Sequence, residues 1–254
     1  MERVFESDYQ TILPYIQPNA CGTVYPSSIV EKKQYGDIFK EGNSILLWHY
    51  CGFAYLFGDC DSRFLEAVDR EFLHNSAALS RRFILFTDNA EVIHFFQKKD
   101  GLTFGKRYAF TYPETMPAFD LTMPTGFSIR EFDKAMFDTV PGRITPRFSW
   151  RNAEEFLLHG KAFCVMDGET LAAWAFSAAV SAEEIDIGVE TAEPYRHQGL
   201  AMFAAEAMLR YCFAQRKRPV WSCDTGNIAS QKLAEKLGFE RVSEYTTIRK
   251  NALA

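Results

Sequence analysis

The stretch EIDIGVETAEPYRHQGLA, residues 184–201, is followed by the apolar-rich run MFAAEAMLRYCFAQ. Its first part alternates isoleucine or valine with polar or small residues, which predicts a strand with one buried face. From Gly199 onward, apolar residues recur at the three- and four-residue spacing of a helix with one buried side. The residues Arg196 to Ala201 are therefore predicted to form a strand-to-helix junction.

This junction has the chemistry of a phosphate site. The first turn of a helix leaves backbone N–H groups without partners and carries the positive end of the helix dipole. Gly199 lets the backbone approach a ligand because it has no Cβ, and Arg196 adds a fixed positive charge. The expected ligand is a diphosphate. A tight turn that only starts a helix is the alternative interpretation.

A second pattern follows the first helix. Residues 219–223, PVWSC, predict a short buried strand. Residues 227–239, NIASQKLAEKLGF, then predict a helix that Asn227 caps and that Gly238 ends in the left-handed conformation.

Together the two motifs resemble the GCN5-related N-acetyltransferase (GNAT) family. Arg196-x-x-Gly199-x-Ala201 is similar to the family's pyrophosphate loop, Q/R-x-x-G-x-G/A, and residues 227–239 are similar to its last helix. The resemblance covers about Thr125 to Lys250. It implies an α/β (α+β) fold with a mixed, splayed central sheet flanked by helices, in the order β-α-α-β-β-β-α-β-α-β.

The pattern along the chain predicts two parts. Residues 1–115 show mixed strand and helix patterns but no phosphate loop, and they predict a smaller N-terminal α/β domain. Residues 116–126 contain two prolines and little periodicity, so they predict a linker to the GNAT domain at 127–254. The layout resembles GNAT subfamilies with an extra N-terminal half, which we expect to cover sheet edges and shape the acceptor pocket.

Composition narrows the class of partner. The 254 residues carry a formal net charge of -5 and no long basic block, which argues against nucleic acid. No apolar run approaches the roughly 18 residues of a membrane span, and the N-terminus has no apolar signal-peptide core. We expect a cytoplasmic protein without a membrane partner, and the sequence leaves its oligomeric state open.

Cysteine and histidine spacing does not predict a metal site. The six cysteines form no C-x-x-C pair, and the five histidines are scattered. We expect all six cysteines to be reduced, because several lie inside predicted strands or helices, where a free cysteine acts as a small apolar residue.

The family resemblance implies acetyl-CoA as cosubstrate and assigns its contacts. It places the diphosphate on Arg196, His197, Gln198, Gly199, Leu200 and Ala201, chiefly through backbone N–H groups. It places the pantetheine arm beside the backbone of Val189 and Thr191, and further CoA contacts on Asn227 and Ser230. A role as helix cap alone is the alternative for Asn227.

The residues for proton transfer are predicted less directly. Glu184, Asp186 and Glu190 lie at alternate positions of the central strand, so they share one face unless a bulge intervenes, and one of them is the expected base. Solvated charges at a strand end are the alternative. Many relatives have a tyrosine acid where this chain has Ala234, and Tyr245 on the last strand is the candidate substitute.

These observations predict an acetyl-CoA-dependent N-acetyltransferase that acts on the amine of a small molecule or a peptide. Phe148 and Trp150 lie in the irregular segment where the family builds its acceptor wall, and their aromatic faces suit an apolar or cationic amine. The alternative is a non-catalytic module with a GNAT fold that binds CoA or presents an interaction surface.

Overall fold

The structure, a computed structural model, describes residues 1–75, 79–116 and 119–251. The described chain groups into two compact units. The first contains residues 1–109, 223–226 and 242–251, and the second contains residues 110–222 and 227–241. In the predicted linker, residues 117 and 118 lie outside the described residues, and the described remainder has no helix or strand.

The first unit is built on a sheet with helices that pack against it. Its strands are β1 (Glu2–Arg3), β2 (Gly36–Glu41), β3 (Ser44–His49), β4 (Phe53–Phe57), β5 (Ile84–Thr87) and most of β6 (Leu102–Thr111). Its helices are α1 (Val24–Val30), α2 (Ser62–Val68) and α3 (Ala90–Gln97), with a 3₁₀ helix at Glu6–Tyr15 and a π turn at Asp69–Leu73. Strands β1 to β4 pair antiparallel, whereas β4 and β5 are parallel.

Local sequence signals explain where the helices of this unit begin. The Asp61 carboxylate accepts the N–H of Phe64 at 2.9 Å, and the Asn89 side chain accepts the N–H of Glu91, also at 2.9 Å. The apolar faces of α2 and α3 then join β3 in one buried cluster, which includes Leu46, Trp48, Phe64, Val68, Val92 and Phe96. The apolar spacing of residues 61–73 and 89–97 therefore forms helices, and a π turn at Asp69–Leu73 ends the first.

The second unit has the element order that the family resemblance implies. Its strands are β7 (Phe127–Glu131), β8 (Ala162–Asp167), β9 (Thr170–Val180), β10 (Glu184–Thr191), β11 (Arg218–Asp224) and the start of β12 (Glu240–Lys250). Its helices are α4 (Lys134–Thr139), α5 (Ala153–His159), α6 (Leu200–Ala214) and α7 (Ile228–Leu237), with 3₁₀ turns at Pro146–Phe148 and Glu193–Tyr195. Strands β7 to β10 pair antiparallel, and β10 pairs parallel with β11. The predicted fold class is confirmed.

Helix α6 is the main helix of the second unit. It packs on β8, β9 and β10, and its buried residues repeat at helical spacing, among them Leu200, Ala204, Met208 and Cys212. The spacing fixes which side of α6 faces the sheet.

The element order of the second unit also occurs earlier in the chain. Three antiparallel strands, a helix, a strand parallel to the third, a second helix and a final strand occupy residues 36–111 and again residues 162–250. The sequence patterns did not predict this repeat, and they also missed β2 and α1. Helix α1 has Pro26 near its start, a position that proline tolerates.

His49 is a fully buried histidine in the first unit. Its Nδ1 accepts the backbone N–H of Cys51 at 3.2 Å, and the Tyr25 ring packs edge-on against it. Burial, together with the nearby Arg81 guanidinium, lowers the pKa of His49 to about 3. Between about pH 3 and pH 6.5 the imidazole is therefore neutral in the folded protein and protonated in the unfolded chain.

We expect acid to destabilise the fold through His49. Between pH 6.5 and pH 3 the unfolded state binds the extra proton, so the free energy of unfolding falls by about 1.4 kcal/mol per pH unit as the pH drops. Urea unfolding at pH 7 and pH 5 measures this. His49→Phe should weaken the dependence, whereas His94→Gln, at an exposed histidine, should leave it unchanged. An equal dependence in all three proteins would contradict the assignment.

Candidate active site

The parallel strands β10 and β11 separate partway along their length. Their register pairs Glu184 with Arg218, Ile185 with Pro219 and Asp186 with Val220, and it ends there. Strand β10 continues to Thr191 with β9 as its partner, so in the described part of the chain no strand pairs with the β11-facing edge of residues 187–191. A cavity of about 660 Å³ lies at this edge.

The first turn of α6 borders the same cavity. Among the helices that the structure describes, five α-helices start with an aspartate or asparagine whose side chain accepts a first-turn N–H: Asp61, Asn89, Asp133, Asn152 and Asn227. Helix α6 starts instead at Gly199, which has φ 75° and supplies no side-chain cap. The N–H of Met202 donates to the Gly199 carbonyl at 3.1 Å, but no N-cap side chain competes for the N–H groups of Leu200 and Ala201, which suit a ligand.

Gly199 is suited to this position in two ways. Its φ lies in the left-handed region that favours glycine, and a Cβ placed there would meet no atom within 4 Å. The backbone of the junction thus faces open space. His197, two residues earlier, also has a positive φ of 65°, so the junction is a tight turn.

Most of the residues assigned to the diphosphate and pantetheine contacts line the cavity. They are Val189, Thr191, Arg196, His197, Gly199, Leu200, Ala201, Asn227 and Ser230. Gln198 is not among them, and its Nε2 donates to the carbonyl of Pro194 at 3.4 Å. The structure therefore brings together residues from the end of β10 and from the first turns of α6 and α7.

Asn227 and Ser230 have partners within the protein. The Asn227 Oδ1 accepts the N–H of Ser230 at 3.1 Å, which is the predicted cap. The Ser230 Oγ accepts the indole N–H of Trp221 at 3.0 Å. Trp221 lines the cavity as well, and the sequence analysis missed it because the PVWSC pattern indicated only a buried strand.

The three carboxylates have different surroundings. Glu184 is buried at the start of β10, where its Oε1 accepts Arg218 Nε at 3.1 Å. Asp186 is buried at the last position that pairs with β11. Glu190 lines the cavity, and its Oε2 accepts the backbone N–H groups of Arg143 and Ile144.

A register shift lies between these carboxylates. Asp186 pairs with Ala179 and Ile187 pairs with Ser177, so the extra residue belongs to β9. Strand β10 keeps its alternation, and its acidic residues keep one parity.

The remaining predicted residues lie elsewhere. Tyr245 is buried in the first unit, where its hydroxyl accepts Arg107 Nε at 3.3 Å. Trp150 is buried in the second unit, with its indole N–H donated to the carbonyl of Ser177 at 2.7 Å, and Phe148 is half-buried. None of the three is among the residues that line the cavity. Their assigned roles stay predictions.

Two further searches cover the described residues. No group of three or more histidine, cysteine, aspartate or glutamate side chains there could hold a metal ion. The described helices also include none with the length and apolar character to cross a membrane.

Comparisons with known proteins agree on one family. The model of the GNAT acetyltransferase family matches residues 20–248. The chain is 24% identical, over 97% of each protein, to the uncharacterised N-acetyltransferase YdfB of Bacillus subtilis (strain 168).

Solved structures share the fold. A GCN5-related N-acetyltransferase-like protein from Streptococcus suis 89/1591 matches with a TM-score of 0.74 and 22% identity, over 97% of this chain and 100% of that one. A tandem GNAT protein from the clavulanic acid biosynthesis pathway matches with a TM-score of 0.61 and 11% identity, over 100% and 98% of the two chains. The chain therefore belongs to the GNAT acetyltransferase family and is an acyltransferase.

Proposed function

We propose that the second unit transfers the acetyl group of acetyl-CoA to the amine of a small molecule. The observation that carries this proposal is the uncapped first turn of α6, which faces the cavity where β10 and β11 separate. Five other α-helices in the described chain use a first-turn N–H group on a side-chain cap, whereas α1 and α6 have no such cap. Of these two, α6 is the helix whose first turn lines the cavity.

The residues present fit the diphosphate of CoA. The N–H groups of Leu200 and Ala201 and the positive end of the 15-residue helix α6 suit an anion, and the Arg196 guanidinium adds charge at the same end of the cavity. Gln198 contributes its backbone to the turn. Acetyl-CoA supplies an acetyl group that its thioester activates for attack by an amine.

The open edge of β10 fits the pantetheine arm. The arm carries amide groups, and the backbone N–H and C=O groups of Val189 and Thr191 can pair with them as a neighbouring strand would. Asn227 and Ser230 hold the first turn of α7 at the opposite side, where Trp221 fixes the Ser230 hydroxyl.

The position of the carboxylates along β10 favours Asp186 as the base. Asp186 lies at the point of separation, where an amine that enters between the strands would lose its proton. In the transfer the C–N bond forms, the C–S bond breaks and the thiolate takes up a proton, for which water is the proposed source.

Binding of acetyl-CoA tests the site directly. Gly199→Val should lower the affinity for acetyl-CoA and CoA in calorimetry by roughly 100-fold or more, because the side chain enters the diphosphate site. Gly168→Val is the matched control, since Gly168 also has a positive φ and open surroundings but lies in the β8–β9 turn. Both changes should cost about 1–3 kcal/mol of stability. Equal affinities in the two variants would overturn the diphosphate assignment.

Turnover tests the reaction and its base. Wild-type protein should release thiol from acetyl-CoA in the presence of at least one amine of a panel. Asp186→Asn should lower kcat/KM by roughly 100-fold or more and remove the acidic limb of the pH profile, while the affinity for CoA stays unchanged. Glu184→Gln and Glu190→Gln should keep that limb. An unchanged limb in Asp186→Asn would reassign proton removal to water.

A further inference from the structure

The segment Gly142 to Ile144 is fastened to the central strands by side chains. The Glu190 Oε2 accepts the N–H of Arg143 at 2.9 Å and the N–H of Ile144 at 2.5 Å. The indole N–H of Trp174 donates to the Ile144 carbonyl at 2.8 Å. Trp174 and Glu190 are paired across β9 and β10, so two neighbouring strands hold one short segment by three hydrogen bonds.

Gly142 makes this approach possible. Its φ is 93°, and a Cβ there would lie 2.6 Å from Glu190 Oε2. A larger residue would push the carboxylate away from the two N–H groups that it accepts. Glu190 therefore positions the segment Gly142 to Ile144.

The contact also sets the charge of the cavity. Among the described residues that line it, Glu190 is the acidic one, and its carboxylate is directed to backbone N–H groups. The basic side chains there are Arg143, Arg196 and His197. Arg196 and His197 belong to the diphosphate turn, whereas Arg143 lies on the segment that Glu190 holds.

Arg143 is an exposed guanidinium with an anchored backbone. In the described part of the chain no carboxylate pairs with it, although its own N–H is bound by Glu190. The planar guanidinium of arginine can bind a carboxylate by two parallel hydrogen bonds. The Arg143 guanidinium is therefore placed to bind an anionic group of a ligand.

We propose that Arg143 binds a carboxylate of the acceptor, so that the acceptor is an amino acid or a related small molecule with both an amine and a carboxylate. This inference rests on the proposed acetyl transfer. The diphosphate has its own donors in Arg196 and the first turn of α6, and the proposal assigns Arg143 to the acceptor carboxylate rather than to the 3′-phosphate of CoA.

Matched pairs of acceptors test the proposal. Each pair compares an amino acid with the amine that lacks its carboxylate. The pairs include phenylalanine with 2-phenylethylamine and tyrosine with tyramine. Wild-type protein should prefer at least one amino acid over its amine. Arg143→Ala should raise the KM for that amino acid by roughly 10- to 100-fold and leave the KM for the amine unchanged. Arg143→Lys should restore part of the loss, and Arg210→Ala, at an exposed arginine of α6 paired with Glu206, should have no effect.

Glu190 gives a second measurement. Glu190→Ala should raise the KM for the same amino acid with a smaller change in kcat, because Arg143 loses its anchor, whereas Glu190→Gln keeps an oxygen acceptor and should retain most of the affinity. Calorimetry of the amino acid with CoA-saturated protein should show the same order without turnover.

The outcomes separate the two proposals. If Arg143→Ala weakens CoA binding as much as amino acid binding, Arg143 belongs to the CoA site and the inference is wrong. If wild-type protein uses amines and amino acids equally well, the inference is also wrong while acetyl transfer stands. If CoA binds but no acceptor of either kind is acetylated, the proposed transfer itself fails, and the inference fails with it.

Discussion

The end of the pairing between β10 and β11 after Asp186 is the constraint on which the site depends. A buried strand edge without a partner is costly, because backbone N–H and C=O groups need hydrogen bonds. The edge is tolerated here because it faces a cavity into which α6 and α7 direct their first turns. Because β11 diverges from β10 here, it does not occupy this edge. The backbone of β10 can therefore pair with a ligand.

The sequence predicted the part of this site that is local. The strand pattern of residues 184–191, the glycine at 199 and the helical spacing after it lie within one stretch, so short-range rules locate the junction and suggest its ligand. The cap at Asn227 was predicted for the same reason and is confirmed. Each of these signals depends on residues only a few positions apart.

The rest of the site depends on contacts between distant residues. Glu190 accepts an N–H 47 positions away, and nothing in the pattern around residue 143 marks that segment as its partner. The alternation of β10 groups Glu190 with Glu184 and Asp186 as a candidate base, and it does not indicate that Glu190 also holds a distant segment. The sequence pattern also does not predict the extra residue in β9, because Ala178 has the same character as the other small residues of this buried strand. Arg143 and Ile144 were missed for this reason.

The repeated element order shows why the fold alone does not make the site. In the first unit the turn after β4 contains Asp59 and Asp61, and the Asp61 carboxylate caps α2 by accepting the N–H of Phe64. In the second unit the turn after β10 contains Glu193 together with Arg196, and Gly199 supplies no side-chain cap to the first turn of α6. An anion at the first helix would meet two carboxylates and a first turn already capped by one of them, whereas at the second it meets a guanidinium and uncapped N–H groups. The two units share one order of strands and helices, yet only the second suits a diphosphate. The feature that decides this is the residue at the helix N-cap.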